Sequence, residues 1–487
     1  METHFCDLVI VSALDEVAWL TNLRGGRDVP YNPVFYSYAL VDFRDPHKRI
    51  RVYVDAEKVN QSPSIVAAYG RAPTPDDGGA SSPQQDLLFL PYEQLAADIA
   101  ALTAGAAAPA RKALVDERQT SEGVRRLLQQ HGIPYKRVRC GPLQTLKAKK
   151  NSAELEGFRA CHVRDGAHLT RYLAWLHEHA ERQAGTFQLH DGAEGSEGET
   201  VPLTEYTAAE RLERFRAEDP DFIQLSFETI SGVGANGAIV HYSASREGAA
   251  PLLDAAGGAD HGMYLVDSGA QYADGTTDVT RTVFLPSPRW PRPTAHHRRL
   301  YTHVLKGHLL LHRTRFPDNH RVTGHRLDTL ARWPLWQHCQ QDYAHGTGHG
   351  VGSLLNVHEG PHGIGSAPAP TGAALQEGYI TSNEPGYYET GAFGIRIENL
   401  EEIVADPPLA DAPPSTGGAA PMKFLALRTL TMVPYCRDLI DAASLSEEER
   451  QCVNEYHAQV RQCLTPLLAA KQDERALAYL SYHTEPL

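Results

Sequence analysis

The chain has 487 residues, of which 42% are hydrophobic and 22% charged, a composition typical of globular proteins at a length that favours two domains. Its net charge of −14 disfavours nucleic acid as a partner, because phosphate-binding proteins usually present a concentrated basic face. It contains no run of about 20 apolar residues that could span a membrane.

Cysteine usage and the N-terminus indicate the cellular compartment. The seven cysteines stand singly, without CxxC spacing, which argues against a disulfide framework and favours a reducing environment. Asp7, Asp15 and Glu16 lie where a signal peptide would need a basic start and an apolar run. We therefore expect a cytoplasmic protein without a membrane partner.

The first 145 residues alternate strand-like and helix-like patterns, which predicts a small α/β domain. Strands are predicted over residues 5–13, 34–43, 49–55, 113–116 and 135–140. Helices are predicted over residues 14–23, 91–102 and 121–132, the last ending on a glycine as a C-cap would.

A change of pattern near residue 145 predicts the domain boundary, giving domains 1–145 and 146–487. Asn151, with Glu154 three residues later, has the form of a capping box and predicts the start of a long amphipathic helix.

The remainder of the chain mixes β-rich and helical segments, typical of an α+β domain. Strands are predicted over residues 222–227, 237–242, 263–268, 280–285, 379–381, 394–400 and 429–433, and helices near 296–316 and 326–343.

Two kinds of segment are interpreted as solvated. Residues 72–85, 190–200 and 406–421 are rich in Pro, Gly and small polar residues and predict surface loops. Short charge runs usually face water, so the basic run of Lys147, Lys149 and Lys150 is assigned to a solvated linker.

Two aspartates stand at either end of a predicted β-turn. An apolar strand runs into Asp267, residues 274–275 form an Asp-Gly turn, and the chain returns through Asp278 into the next strand. This arrangement could bring both carboxylates to one site, although on their own they are equally compatible with ordinary turn residues.

Histidine and glycine alternate in the segment HGTGHGVG, which begins at His345 and includes His349. A glycine at every second position disfavours a helix, at roughly 1 kcal/mol each, and instead predicts backbone packed close to a neighbour. The segment lacks the glutamate of an HExxH zinc motif, and spacing alone does not decide which histidine would bind a metal.

Two glutamates complete the set of candidate ligands. Glu384 lies in an Asn-Glu-Pro-Gly segment, and Glu398 lies on a strand where Arg396 shares its face. That face is either a solvated surface or a buried polar site.

Together these segments offer four carboxylates and one imidazole, a donor set that suits two hard or borderline divalent ions bridged by carboxylates. Two such ions can lower the pKa of a bound water and polarise a carbonyl.

At these residues the chain resembles the creatinase/aminopeptidase (pita-bread) metallopeptidase family, in particular its Xaa-Pro aminopeptidase (aminopeptidase P) branch. The matching motifs run through nearly the whole chain. They are LDEVAWLTNLRG at 14–25, NPVFYSY at 32–38, KNSAE at 150–154, NGAIVH at 236–241, LVDSGAQ at 265–271, DGTTDVTRT at 274–282, HGTGHGVG at 345–352, EPGYY at 384–388 and GIRIEN at 394–399.

The resemblance implies a creatinase-like α/β domain followed by a pita-bread catalytic domain. It implies that Asp267, Asp278, His349, Glu384 and Glu398 bind two divalent ions per subunit, with Asp278 and Glu398 bridging. The family's usual metal is manganese, with zinc or cobalt as alternatives.

Further roles follow from the same match. His241 would steady the oxygen of the scissile carbonyl, and His358 would contact the peptide and help to move protons. His345, Tyr388 and Arg396 would shape or brace the pocket for the proline that follows the cleaved bond.

The implied reaction removes the N-terminal residue from peptides with proline in second position. A metal-bound hydroxide would attack the carbonyl while Glu384 manages the proton. A homodimer is expected. The long members of the family carry two similar α/β domains before the catalytic one, and this chain resembles them from the second domain onward.

Two other functions are compatible with the same fold. A Xaa-Pro dipeptidase (prolidase) would use the same five ligands and close the groove after the proline. A non-catalytic peptide-binding module would lack the ligands, and this chain keeps all five.

Overall fold

The computed structural model describes residues 5–26, 28–47, 49–70, 72, 86–103, 111–189, 199–253, 262–407 and 422–487. The chain divides into two compact units, Met1–Lys147 and Ala148–Leu487. The predicted loops at 72–85, 190–200 and 406–421 fall almost wholly outside the described residues. None of the helices in the described ranges has the length and apolar character needed to cross a bilayer.

The first unit is built on a six-stranded mixed sheet with the order β4-β3-β2-β1-β5-β6. Strands β1, β2 and β3 pair antiparallel, and the other neighbours pair parallel. The strands are β1 (Leu8–Val11), β2 (Ser37–Asp42), β3 (Ile50–Val54), β4 (Leu87–Pro91), β5 (Ala113–Asp116) and β6 (Tyr135–Val138). The helices are α1 (Leu14–Thr21), α2 (Ala56–Asn60), α3 (Pro63–Tyr69), α4 (Gln94–Ala101), α5 (Glu122–Gln130) and α6 (Pro142–Ala148).

The apolar pattern of this unit explains which elements could be predicted. The five predicted strands correspond to β1, β2, β3, β5 and β6, and the three predicted helices to α1, α4 and α5. Helices α2, α3 and α6 and strand β4 were not predicted. The three helices have five to seven residues each, about two turns or fewer, which is too short to show a helical period.

The second unit contains six α-helices among its described residues. They are α7 (Ser152–Arg182), α8 (Glu205–Arg216), α9 (Ala295–His312), α10 (Gly324–Cys339), α11 (Glu447–Ala470) and α12 (Glu474–His483). Its strands are β7 (Thr186–Leu189), β8 (Glu199–Pro202), β9 (Phe222–Leu225), β10 (Ile230–Val233), β11 (Met263–Ser268), β12 (Ala270–Tyr272), β13 (Gly275–Thr276), β14 (Val279–Phe284), β15 (Phe316–Pro317), β16 (Gly348–Gly350), β17 (Glu359–Ile364), β18 (Ile380–Asn383), β19 (Gly386–Glu389), β20 (Phe393–Arg396), β21 (Asn399–Asp406) and β22 (Phe424–Thr429).

Three sheets of this unit carry the candidate site. They are the sheet β10-β11-β14, the six-stranded sheet β15-β22-β21-β18-β16-β17 and the hairpin β19-β20. The strands that meet at the site are buried along their length, which is why polar side chains within them face the protein interior.

Helix α7 begins where the capping box predicted. Asn151 Oδ1 accepts the Glu154 N–H at 2.9 Å, and Glu154 Oε2 accepts the Asn151 N–H at 2.9 Å. Phe158, Leu169 and Leu173 on this helix are at most 2% exposed, so its apolar face packs into the core.

Two predicted strands were wrong. Residues 237–242 do not form a strand: the 3₁₀ turn Gly234–Ala238 is followed by further turns, because glycines here let the backbone fold back on itself. A Cβ on Gly232 would lie 2.8 Å from the Gly237 nitrogen. Of the predicted strand 429–433 only Thr429 belongs to a strand, because β22 ends there and pairs with β21 only as far as this residue.

The solvated assignment of the basic run was also wrong for two of its three members. Lys147 and Lys150 are buried, and only Lys149 is exposed. The Lys147 ammonium lies 2.8 Å from Asp15, and the Lys150 ammonium lies 2.8 Å from Glu359. Each lysine can be buried because a carboxylate compensates its charge.

Candidate metal centre

The five predicted ligands come from different strands that end at one place. Asp267 lies near the end of β11, directly opposite Thr280 of β14, and Asp278 immediately precedes β14. His349 is the central residue of β16, and Glu384 follows β18, which pairs with β16. Glu398 lies between β20 and β21, and its N–H donates to the Thr280 carbonyl at 3.1 Å.

The donor atoms of these residues form overlapping groups. Asp267, Asp278 and Glu398 form one group and His349, Glu384 and Glu398 another, with all ligand atoms in each group within 4.8 Å of one another. His349 Nε2 lies 3.4 Å from Asp278 Oδ2 and 3.5 Å from Glu384 Oε1. The structure therefore brings all five side chains into one cluster.

Burial and mutual repulsion raise the pKa values of the carboxyl groups. Burial, helped by the charge of Asp267, raises the pKa of Asp278 to about 6. Burial likewise raises the pKa of Glu384 to about 7, and it raises that of Glu398 well above its ordinary value. Burial opposes the charged form of His349, but Asp278 and Glu384 outweigh it and raise the pKa of His349 to about 9.

The raised carboxyl pKa values result from several acidic groups buried close together. A bound cation would stabilise their ionised forms. Two observations fit the donor set to a metal. Asp267 Oδ1 is buried and has no hydrogen-bond partner among the described residues. His349 Nδ1 lies 3.0 Å from the Gly350 carbonyl, an arrangement that leaves Nε2 as the ligand atom facing the carboxylates.

A second layer of side chains holds the carboxylates in place. The Arg396 guanidinium donates to Asp267 Oδ2 at 2.6 Å and is 1% exposed. The Thr280 hydroxyl donates to Glu398 at 2.7 Å, and the Ser382 hydroxyl donates to Glu384 at 3.1 Å. Ser382 also accepts the His349 N–H at 2.9 Å.

Three predicted pocket residues form a chain of hydrogen bonds beside the cluster. Arg396 Nη1 donates to the Tyr388 hydroxyl at 2.7 Å, which lies 2.8 Å from His345 Nε2. His345 Nδ1 lies 2.8 Å from the Gly346 carbonyl. Burial and the Arg396 charge lower the pKa of His345 to about 4, so the ring is neutral and accepts the tyrosine hydroxyl.

The other two predicted residues, His241 and His358, are exposed at the edge of the cluster. The ring of His358 lies 4.1 Å from that of His349, centroid to centroid. The positive charge of His349, together with partial burial and His241, lowers the pKa of His358 to about 3.

The alternating glycines serve close packing, as their spacing predicted. A Cβ on Gly348 would lie 2.1 Å from the Ser382 carbonyl oxygen, and one on Gly350 would lie 2.2 Å from that of Glu359. Only glycine lets β16 approach its neighbours this closely, and this approach places His349 among the carboxylates. Arg396 and Glu398 are 1% and 2% exposed, so the strand face that they share is a buried polar site and not a solvated surface.

Sequence reasoning missed Thr280 and Ser382. A signal for Thr280 was present, because it lies two residues after Asp278 on a strand and therefore shares its face. Ser382 has the same spacing from Glu384, which follows it by two residues, and the structure places its hydroxyl in contact with both Glu384 Oε1 and the His349 N–H.

Comparison with family models covers most of the chain. Residues 156–405 match the model of metallopeptidase family M24. Residues 1–154 match the creatinase/prolidase N-terminal domain, and residues 423–487 match the C-terminal region of peptidase M24.

Individual proteins that resemble the chain are peptidases as well. Xaa-Pro aminopeptidase 1 of Dictyostelium discoideum is 37% identical over 487 residues, which is 100% of this chain and 67% of that protein. The crystal structure of X-prolyl aminopeptidase from Caenorhabditis elegans, described as a cytosolic enzyme with a di-nuclear active site, superposes with a TM-score of 0.80 at 32% identity and covers 99% of this chain and 68% of its own. Prolidase from Pyrococcus furiosus shares the fold, with a TM-score of 0.53 at 17% identity over 88% of this chain and 96% of its own.

Proposed function

The chain belongs to metallopeptidase family M24, and on that premise we propose that it is an Xaa-Pro aminopeptidase, which releases the N-terminal residue from peptides with proline in second position. The observation that carries the proposal is the convergence of Asp267, Asp278, His349, Glu384 and Glu398 in one buried cluster. The aminopeptidase relatives match the whole chain at more than 30% identity, which supports this substrate class.

The five residues would hold two divalent ions, which we propose to be manganese, since a carboxylate-rich set suits manganese better than a thiolate set does. When bound, the ions would supply an activated water and polarise the scissile carbonyl. Zinc and cobalt are the alternatives to manganese. Metal content by elemental analysis, followed by reconstitution with each ion, distinguishes them.

Glu384 would hold and release the proton of the reaction. Its carboxyl group belongs to the cluster, with Oε1 3.5 Å from His349 Nε2, so it would lie beside the activated water whose proton it accepts. Ser382 donates to Oε1 and so fixes the direction in which the carboxyl group presents its other oxygen.

The polar groups around the cluster would bind the peptide. His241 and His358 are exposed, and His241 would steady the scissile carbonyl oxygen while His358 would contact the peptide and help to move protons. Proline makes a tertiary amide without an N–H, so a pocket for its ring must depend on shape. His345 and Tyr388, joined through their hydrogen bond and braced by Arg396, would form one wall of that pocket.

The prolidase alternative uses the same metal ligands and differs in its product. A prolidase releases proline from a dipeptide, whereas the proposed enzyme releases the first residue from Xaa-Pro-Pro. The prolidase structure shares only 17% identity with this chain, so its likeness concerns the fold. Product analysis on an Xaa-Pro dipeptide and an Xaa-Pro-Pro tripeptide separates the two activities.

Cytoplasmic location and dimerisation belong to the same proposal. All seven cysteines are free thiols, in keeping with a reducing compartment. Trp333 and Trp336 lie three residues apart on α10 and are 50% and 40% exposed, an apolar surface that a second copy of the chain would cover. Light scattering on the wild type and on Trp336→Glu tests the homodimer.

Substitution of the ligands tests the enzymatic function. Glu384→Gln and Asp278→Ala are expected to lower kcat/KM for Xaa-Pro-Pro by at least roughly 10²–10⁴-fold, because each removes a group that acts on the proton or holds an ion. Glu377→Gln is the matched control, since Glu377 is exposed and precedes β18, the strand that Glu384 follows. Activity that survives both ligand substitutions would refute the proposal.

A further inference from the structure

We propose that Arg332 is a positioning residue that fixes His345 in the proline pocket, so that this arginine of α10 sets the affinity for Xaa-Pro peptides without touching them. The inference rests on the proposed function, because it assigns the pocket of that same site. Arg332 is 3% exposed. The hydrogen bonds of its guanidinium go to Asp328, to Asp342 and to the carbonyls of Tyr343 and His345, none of which is a candidate metal ligand.

The guanidinium of Arg332 binds the backbone that carries His345. Nη2 donates to the His345 carbonyl at 2.8 Å, and Nη1 donates to the Tyr343 carbonyl at 2.6 Å. Nη1 also donates to Asp342 Oδ1 at 2.7 Å, and Nε donates to Asp328 Oδ2 at 2.7 Å. One side chain therefore ties α10 to three successive points of the segment before β16.

A second set of contacts holds the same segment against the helix. The Thr347 hydroxyl donates to Asp328 Oδ1 at 2.5 Å and lies 2.6 Å from the Tyr343 hydroxyl. The Arg332 guanidinium stacks over the Tyr343 ring, 3.9 Å from its centroid. Asp328 thus bridges Arg332 and Thr347, and the chain between them has little freedom to turn.

The position of the His345 ring follows from this anchoring. Its Nε2 lies 2.8 Å from the Tyr388 hydroxyl, a distance that a small rotation of the backbone would break. Arg332 binds the backbone carbonyl of His345, whereas the imidazole ring of His345 would form the wall of the pocket. Loss of the anchor therefore changes the pocket before it changes the metal ligands.

Only arginine can make this set of contacts. Its planar group offers donors in several fixed directions, whereas lysine offers one compact ammonium. Arg332→Lys keeps the positive charge beside Asp328 but cannot reach the Tyr343 and His345 carbonyls at the same time. The conservative variant is therefore the informative one.

The experiment compares Arg332→Lys with Arg326→Lys in the metal-loaded full chain. Arg326 is an exposed arginine on the same helix, so the control repeats the chemical change without the contacts. Arg332→Lys is expected to raise KM for Xaa-Pro-Pro about tenfold, with kcat and metal content near those of the wild type. Arg326→Lys is expected to match the wild type in all three.

A double variant tests whether the effect passes through His345. If it does, Arg332→Lys adds little to the KM of His345→Ala, because the two substitutions damage the same contact. Independent multiplication of the two effects overturns the proposal. So does a wild-type KM in Arg332→Lys, or a loss of metal with a collapse of kcat, which would place its action on the ligands.

If Arg332→Lys folds poorly, a variant of Asp342 tests the same contact through KM. If the proposed activity is absent, hydrogen exchange tests the anchoring without it. Asp342→Ala removes one half-exposed hydrogen-bond partner of Arg332 and is expected to raise KM about two- to fivefold with an unchanged melting temperature. Hydrogen exchange of residues 342–349 is expected to be faster in Arg332→Lys than in Arg326→Lys. Unchanged exchange overturns the inference, whereas an inactive wild type overturns only the proposed function.

Discussion

The buried ion pair between Lys150 and Glu359 allows a stability prediction with an internal control. The two side chains are each 1% exposed and their charged atoms lie 2.8 Å apart. Replacing Lys150 by Met removes this ion pair and keeps the Glu359 carboxylate buried, a change that costs about 3–5 kcal/mol for pairs of this kind. Lys149→Met changes an exposed neighbour in the same basic run and should stay within about 0.5 kcal/mol of the wild type.

Urea unfolding followed by tryptophan fluorescence measures this difference, since four of the five tryptophans lie in the unit Ala148–Leu487 that contains the pair. Combining Lys150→Met with Glu359→Gln removes both charges and should restore roughly 1–3 kcal/mol of the loss. The reasoning fails if Lys150→Met is as stable as Lys149→Met. It also fails if the double variant is less stable than Lys150→Met alone.

Two further predictions concern side chains near the cluster. Thr280→Val removes the hydroxyl donor of Glu398 and should weaken metal affinity roughly 10–100-fold in a calorimetric titration; unchanged affinity would contradict the supporting role of Thr280. His312 is partly buried, with Nδ1 3.1 Å from Glu401, and although burial opposes the charged ring, that carboxylate raises the pKa of His312 above its ordinary value. A raised pKa stabilises the fold below the unfolded pKa, and the contribution disappears as pH rises through the folded pKa. His312→Gln should therefore destabilise the protein more at pH 6 than at pH 9 in urea titrations, and an equal loss at both values would contradict this account.

Local patterns predicted much of the fold because they act over a few residues. The apolar strand Met263–Ser268 and the capping box at Asn151 both appear in the structure where they were predicted. The prediction failed where the backbone depends on packing against distant segments. The turn at Gly234–Ala238 replaces a predicted strand because glycine backbones there approach one another too closely for side chains.

The basic run before α7 shows the same contrast between what local patterns predict and what distant contacts decide. Charge patterning treats Lys147, Lys149 and Lys150 alike, because a linear sequence does not reveal which lysine faces a carboxylate. The partner of Lys150 is Glu359, 209 residues further along the chain. Only folding brings the two together, so burial of this lysine could not be derived from its neighbours.

By itself, the sequence determined that carboxylate and imidazole donors are available in four segments of the second domain, and the resemblance to a known family selected Asp267, Asp278, His349, Glu384 and Glu398 among them. The tertiary structure decided that these donors converge, and it supplied Thr280 and Ser382 as their hydrogen-bond partners. The physical reason is that strand pairing sets the distances between side chains remote in the chain. Hydrogen bonding of a ligand, like the anchoring of His345 by a helix residue, exists only once those distances are fixed.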